Sequence, residues 1–149
     1  KINDFGVRVY CWRKGVPYEE TPNHVEVIID GETYGAVPKK VRKERFADYV
    51  YSISDSLIRY ELVDIPCTRE EEEDVQMFLE SMIGTRYEYL MVISHFFRIV
   101  FGFWLGRRRK KAVTCVELAI RALNRVKGYD MDVTLNMYDF KKRVKGMCK

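Results

Sequence analysis

At 149 residues the chain is long enough for one domain with a real core and not comfortably for two, so a single domain over residues 1–149 is expected. Hydrophobic residues at 47% and charged residues at 32% exclude a disordered or fibrous class. A net charge of +4 is too small to imply nucleic acid, and no nucleic-acid partner is expected.

Residues 7–12 set Val7, Val9 and Cys11 on one face against Arg8, Tyr10 and Trp12 on the other, which suits a strand, and residues 15–23 hold Gly15, Pro17, Pro22 and Asn23, the pattern of a loop. Residues 24–29 alternate again. Val25, Val27 and Ile29 share one face, and His24, Glu26 and Ile28 share the other. Asp30-Gly31 is a two-residue hairpin signal, and the chain returns through residues 32–37. Residues 39–45 form a basic tract, and residues 57–65 read as a further strand ending before Pro66. Thr68 and Glu71 fit a capping box for a helix that Gly84 ends. A second helix is expected over 87–104. Its apolar character raises a membrane question, but it is short for a span and Arg98 interrupts it, so a buried helix is expected. A third helix runs over 114–127, followed by Gly128, and a fourth covers 138–145. Strands first and helices afterwards argue an α+β fold.

Cys11, Cys67, Cys115 and Cys148 are widely spaced and form neither a CxxC nor a Cys–His pattern. No disulfide framework, metal or cofactor is expected. No signal-peptide pattern opens the chain, so a reducing, cytoplasmic compartment is expected. The absence of an initiator Met suggests trimming.

Thr114 and Glu117 make a second capping box, which puts Cys115 at the first helical position. A thiol there meets the positive end of the helix dipole and amides without helical partners, and both favour the thiolate. The same amides offer an oxyanion hole. The alternative is a small buried cysteine at a helix start. Of the two histidines, His95 lies within the apolar helix. His24 opens a strand beside a loop, where a general base for Cys115 would sit, its alternative being a surface imidazole without a role.

Three segments together carry a resemblance: Asn23-His24-Val25-Glu26 with its following strand and turn, Gly84-Thr85-Arg86-Tyr87-Glu88-Tyr89, and Thr114-Cys115-Val116-Glu117-Leu118. In this order, with histidine before cysteine, they resemble the circularly permuted branch of the NlpC/P60 papain-like superfamily. The resemblance spans about residues 20–125, with Val116 where a small serine is usual and Glu88 where aspartate is usual. It implies a permuted papain-like fold, with an antiparallel sheet carrying His24 packed against the Cys115 helix. It implies hydrolysis of a peptide, amide or acyl bond through a Cys115 acyl-enzyme with His24 as base. It also implies a substrate-binding role for Tyr87, whose alternative is packing. Similar domains in phages suggest a virion-associated location and virion proteins as partners.

The family's third polar residue lies on the strand returning after the histidine. Pairing Ile29 with Glu32 sets Glu26 opposite Gly35 and His24 opposite Val37, so that slot falls at or near Gly35, which has no side chain. Glu26 is the candidate to orient His24 through the vacated space, unless it lies on a solvated face. The vacancy also leaves room for a non-catalytic scaffold serving as a binding or virion component. A lipid-directed acyl hydrolase or acyltransferase is the third reading, because residues 90–105 and the cations of 107–111 suit a membrane surface.

Overall fold

The computed structural model describes residues 22, 24–54, 60–103 and 112–147. The expected strand over 7–12, the loop over 15–21, Cys11, Cys148 and the cations of 107–111 lie outside them. Among the described residues the fold is mixed α+β. Strands β1 (Val27–Ile29), β2 (Glu32–Ala36) and β3 (Val41–Arg45) form an antiparallel sheet in that order. Helix α1 (Phe46–Ser54) leaves β3, and α2 (Arg69–Met82) follows. Strand β4 (Arg86–Tyr87) pairs in parallel with β5 (Ala112–Val113), and α3 (Tyr89–Phe101) lies between them in the chain. Helices α4 (Cys115–Leu123) and α5 (Met137–Met147) complete the order.

The β1–β2 turn forms because Asp30 and Gly31 both adopt positive φ, 49° and 73°. That is the two-residue turn whose twist matches an antiparallel pair. The register follows: Ile29 pairs with Glu32, Ile28 with Thr33 and Val27 with Tyr34. The amide of Phe46 donates to the Gly31 carbonyl at 2.8 Å, which ties the start of α1 to the hairpin tip.

Helix α4 occupies the centre. Its residues from Cys115 to Ile120, and Ala122, are buried, as in a helix that is covered all round. It packs on β2 and α2, with Tyr34, Ala36, Val41 and Leu79 in the same core. Glu117, with 0% exposure, is tolerated there because its carboxylate pairs with Arg121 Nη2 at 2.6 Å. Polar clips surround this core. Tyr34 Oη donates to Glu80 Oε1 at 2.6 Å, and Lys43 Nζ reaches the same oxygen at 2.7 Å. Arg125 Nη1 donates to both carboxylate oxygens of Asp74, at 2.8 and 2.7 Å.

The Thr68 capping box is complete, with the Thr68 amide donating to Glu71 Oε2 at 2.7 Å. Other elements depart from expectation. Residues 39–45 read as a basic tract, yet Val41–Arg45 is a strand. Its alternation is hidden because four of its five side chains are charged. Such side chains suit an edge strand. Residues 60–65, the described part of an expected strand, have no ladder. They are mostly exposed, and Glu61 pairs instead with Lys141 and Lys145 of α5, so the segment meets a helix rather than a sheet edge. Tyr87 belongs to β4 rather than to the following helix. Helix α3 is only half buried: Met91 and Ser94 face inward, while Tyr89, Leu90, Ile93 and Phe101 are exposed. No helix among the described residues is long and apolar enough to cross a membrane.

The hairpin register depends on Gly31. At φ of 73° a branched side chain is strained, so Gly31→Val is expected to destabilise the protein by roughly 1–2 kcal/mol. Urea unfolding of the variant beside its parent measures this, and an unchanged midpoint with unchanged slope would contradict it.

Candidate active site

The site gathers at one end of the sheet. Residues before β1, after β2 and before β3 meet there. The Val41 amide donates to the Thr85 carbonyl at 2.8 Å and the Tyr87 amide to the Lys39 carbonyl at 3.2 Å, which joins the β4–β5 pair to the same end. Strand β5 then leads directly into Thr114 and Cys115.

Thr114 is the N-cap of α4, in extended conformation, and its Oγ1 accepts from the Glu117 amide at 3.2 Å. The first ladder bond runs from Leu118 N to the Thr114 carbonyl at 2.9 Å. The amides of Cys115 and Val116 therefore precede any i−4 acceptor, at the positive end of the helix. Cys115 is 5% exposed. Cys115 is among the groups that favour the charged form of His24, through a side-chain hydrogen bond and its charge, so the two residues paired from sequence are neighbours.

Glu26 completes the group. His24 Nε2 and Glu26 Oε1 are 2.9 Å apart, with the His24 side chain 30% exposed and that of Glu26 7% exposed. The carboxylate lies over Gly35. A Cβ built on Gly35 would stand 2.5 Å from Glu26 Oε1 and 2.7 Å from its Cδ. The bare glycine is thus the space that the Glu26 carboxylate fills.

Two partners of Glu26 were not anticipated from sequence. Thr33, buried, donates its hydroxyl to Glu26 Oε2 at 2.5 Å, which leaves Oε1 for the imidazole. Arg42 Nη2 is 3.5 Å from Oε1 but is held more closely by Glu44, at 2.8 Å, and lies over the Tyr49 ring with 5.6 Å to its centroid. Thr33 sits two residues before Gly35, hence on the same face of β2, and that spacing was readable. Arg42 was not, because its strand was hidden in a charge run.

The electrostatics are those of an ion pair. Burial opposes the charge on His24, but side-chain hydrogen bonds with Cys115 and Glu26 and the charges of both outweigh it. The pKa rises from 6.5 to about 9. Burial likewise pushes the Glu26 carboxyl up, yet hydrogen bonds from His24 and Thr33 and the charges of His24 and Arg42 hold it below the usual carboxylate range. The imidazolium therefore contributes to stability fully below pH 6.5, and that contribution is lost as the pH rises through about 9. The carboxylate's contribution is present at neutral pH and lost as the pH falls into the carboxylate range.

Tyr87 is buried in the core cluster that holds Cys115, with its ring edge-on to Tyr89 at 5.0 Å between centroids. Glu88 is the N-cap of α3 and accepts from the Leu90 amide at 3.1 Å. The His95 side chain lies outside the described residues. Cys67 is exposed, well apart in sequence from the other site residues, just ahead of α2. Among the described residues no group of three His, Cys, Asp or Glu side chains is arranged to hold a metal ion.

Comparison with protein-family models, curated proteins and solved structures gives no match for this chain.

Gly35→Ala is expected to push the Glu26 carboxylate away from His24 while leaving the fold intact, because the obstructed atoms are the free end of a flexible side chain. The His24 titration, followed by NMR, should move down from about 9 in this variant and in Glu26→Gln. A His24 titration unchanged in Gly35→Ala would show that the glycine has no part in placing the carboxylate. Thr33→Val is expected to lower the same titration by a smaller amount, with Thr33→Ser restoring it. A shift of equal size in the Glu26→Gln background would mean that Thr33 does not act through Glu26.

Proposed function

We propose that this chain is a cysteine hydrolase acting on a peptide, amide or acyl bond, with Cys115 as nucleophile, His24 as general base and acid, and Glu26 as the residue that orients His24. The observation that carries the reading is the convergence of three side chains. A thiol at a helix N-terminus meets an imidazole whose charged form is favoured and whose other partner is a buried carboxylate. Ordinary core cysteines have no need of such a neighbour.

The chemistry follows from the arrangement. His24 takes the proton of the Cys115 thiol, the sulfur attacks the substrate carbonyl carbon, and the carbonyl oxygen takes up negative charge as the carbon–oxygen double bond opens. The amides of Cys115 and Val116, without helical acceptors, are placed to stabilise that charge. The protonated His24 then donates its proton to the leaving amine or alkoxide as the carbon–heteroatom bond breaks, which leaves a thioester on Cys115. Water enters, His24 accepts its proton, the thioester carbon takes the hydroxide, and the thiolate leaves with the imidazolium restored. Glu26 holds the ring through Nε2 and stabilises its charged form, and Thr33 fixes the carboxylate. This order of residues also agrees with the resemblance to the permuted NlpC/P60 branch, with the acid supplied from the histidine's own strand region rather than from the returning strand.

Support for turnover over a mere scaffold lies in the polar network around Glu26. A scaffold that had lost its chemistry has no use for a buried carboxylate aimed at an imidazole, since burial of that charge costs stability unless partners offset it. Iodoacetamide is expected to alkylate Cys115 faster at neutral pH than Cys67, although Cys67 is the exposed thiol. Burial and the neighbouring Glu72 and Glu71 hold the Cys67 thiol above its ordinary range. The His24→Ala variant should lose most of the Cys115 rate. Mass spectrometry of each cysteine across pH decides the matter: a Cys115 rate at or below that of Cys67, indifferent to His24→Ala, replaces the enzyme reading with a scaffold.

A further inference from the structure

The sheet face that carries Glu26 holds a second charged pair, and its placement follows from the register. Gly35 pairs with Arg42 and Thr33 with Glu44, so these four residues share one face of β2 and β3. The Glu26 carboxylate covers Gly35 from the β1 side. Glu26 and Arg42 thus flank one bare glycine, and its missing side chain leaves the space above it open to both. Arg42 Nη2 stands 3.5 Å from Glu26 Oε1, the same oxygen that stands 2.9 Å from His24 Nε2.

That distance is long for two such groups. A guanidinium and a carboxylate prefer a charge-assisted hydrogen bond of about 2.7–2.9 Å, often doubled. Glu26 is buried, so water screens its charge little and its pull on a nearby cation is strong. Arg42 nevertheless lies with the half-buried Glu44, whose Oε1 is 2.8 Å from Nη2. Its guanidinium rests over the Tyr49 ring of α1, 5.6 Å from the centroid. Arg42 Nε is buried and has no hydrogen-bond acceptor among the described residues, so no bond from that nitrogen fixes the side chain. Glu44 and the ring are what hold it to its side of the glycine. The Tyr49 hydroxyl is pushed up by burial and by the charge of Glu26, so it stays neutral while His24 titrates.

We propose that Glu44 is a positioning residue: it holds the Arg42 guanidinium back from Glu26, so that Glu26 Oε1 is left to the His24 ring. A guanidinium that closed on Oε1 would compete with the imidazole for that oxygen and bring a cation nearer to it. Both effects disfavour the charged ring. Held at its present distance, Arg42 helps to keep Glu26 ionised without taking it from His24. The groups that bear on His24 are Cys115 from α4 and Glu26 beside it. Glu26 in turn faces Arg42 of β3, with Glu44 on the same strand and Tyr49 on α1. Glu44 acts on His24 through Arg42 and Glu26. Its consequence for proton transfer rests on the hydrolase reading, whereas the arrangement of charges does not.

The test is the His24 titration, followed by NMR in the full chain, for the parent, Glu44→Gln, Arg42→Met and Arg42→Met/Glu44→Gln. Glutamine has the shape of glutamate and position 44 is half-buried on an outer strand, so the fold is kept. Glu44→Gln is expected to lower the titration from about 9 by about half a pH unit or more, roughly threefold in the protonation equilibrium. In the Arg42→Met background the same substitution is expected to lose most of that effect, because no guanidinium is left to release. A smaller lowering in the parent background overturns the proposal. So does a lowering of which half or more persists without Arg42, since Glu44 would then act on His24 by its own charge. Cys115 alkylation no faster than that of Cys67 in the parent would end the hydrolase reading and leave these titrations to decide the role of Glu44.

Discussion

The two-residue turn at Asp30-Gly31 admits one register between β1 and β2, and that register decides which side chain reaches His24. A slip by one residue would turn Glu26 to the opposite face and bring Tyr34 or Ala36 to the place of Gly35. In the observed register, Glu26 faces a residue without a side chain and a threonine hydroxyl, and both are needed. The glycine leaves room for the carboxylate, and the hydroxyl directs it. Its burial is compatible with its charge because the imidazole, the hydroxyl and the more distant Arg42 all favour the ionised form.

The other half of the site depends on a different constraint, the complete burial of α4. A helix covered on all sides has a fixed position and direction, so the first residue of that helix is fixed too. Glu117 shows how strongly the centre is specified: a carboxylate with no exposure is held by Arg121 of the next turn, an arrangement that tolerates little rotation of the helix. The clips from α2 act in the same sense. Asp74 and Arg125 join α2 to the residues after α4, and Glu71 accepts the Lys127 amide at 2.7 Å. Cys115 is thus rigidly placed, as the proposed chemistry requires of a nucleophile.

The two halves are coupled electrostatically. His24 is the shared member. Its charge is favoured by groups from α4 on one side and from the β1–β2 hairpin on the other. Burial of the imidazole is the largest single influence and opposes its charge, and the contacts with Cys115 and Glu26 together outweigh it. Under the proposed reading this keeps a proton on His24 at neutral pH, available to a leaving group.

The sequence by itself determined the local pieces. The Asp30-Gly31 turn, the Ile29–Glu32 register, the caps at Thr68 and Thr114 and the position of Cys115 at a helix start all follow from neighbours a few residues apart. Even the fit of Glu26 over Gly35 was legible, because a turn of known length transmits pairing along both strands. Only the tertiary structure decided the rest. Residues 60–65 alternate like a strand but found no edge to pair with, and Val41–Arg45 became a strand although its charges conceal any alternation. The apolar helix α3 was expected inside, but the centre is filled by α4, so one face stayed out. The physical reason is common to all three. Turns and caps are satisfied within a few residues of chain, whereas a strand or a buried face exists only when a distant segment supplies its partner.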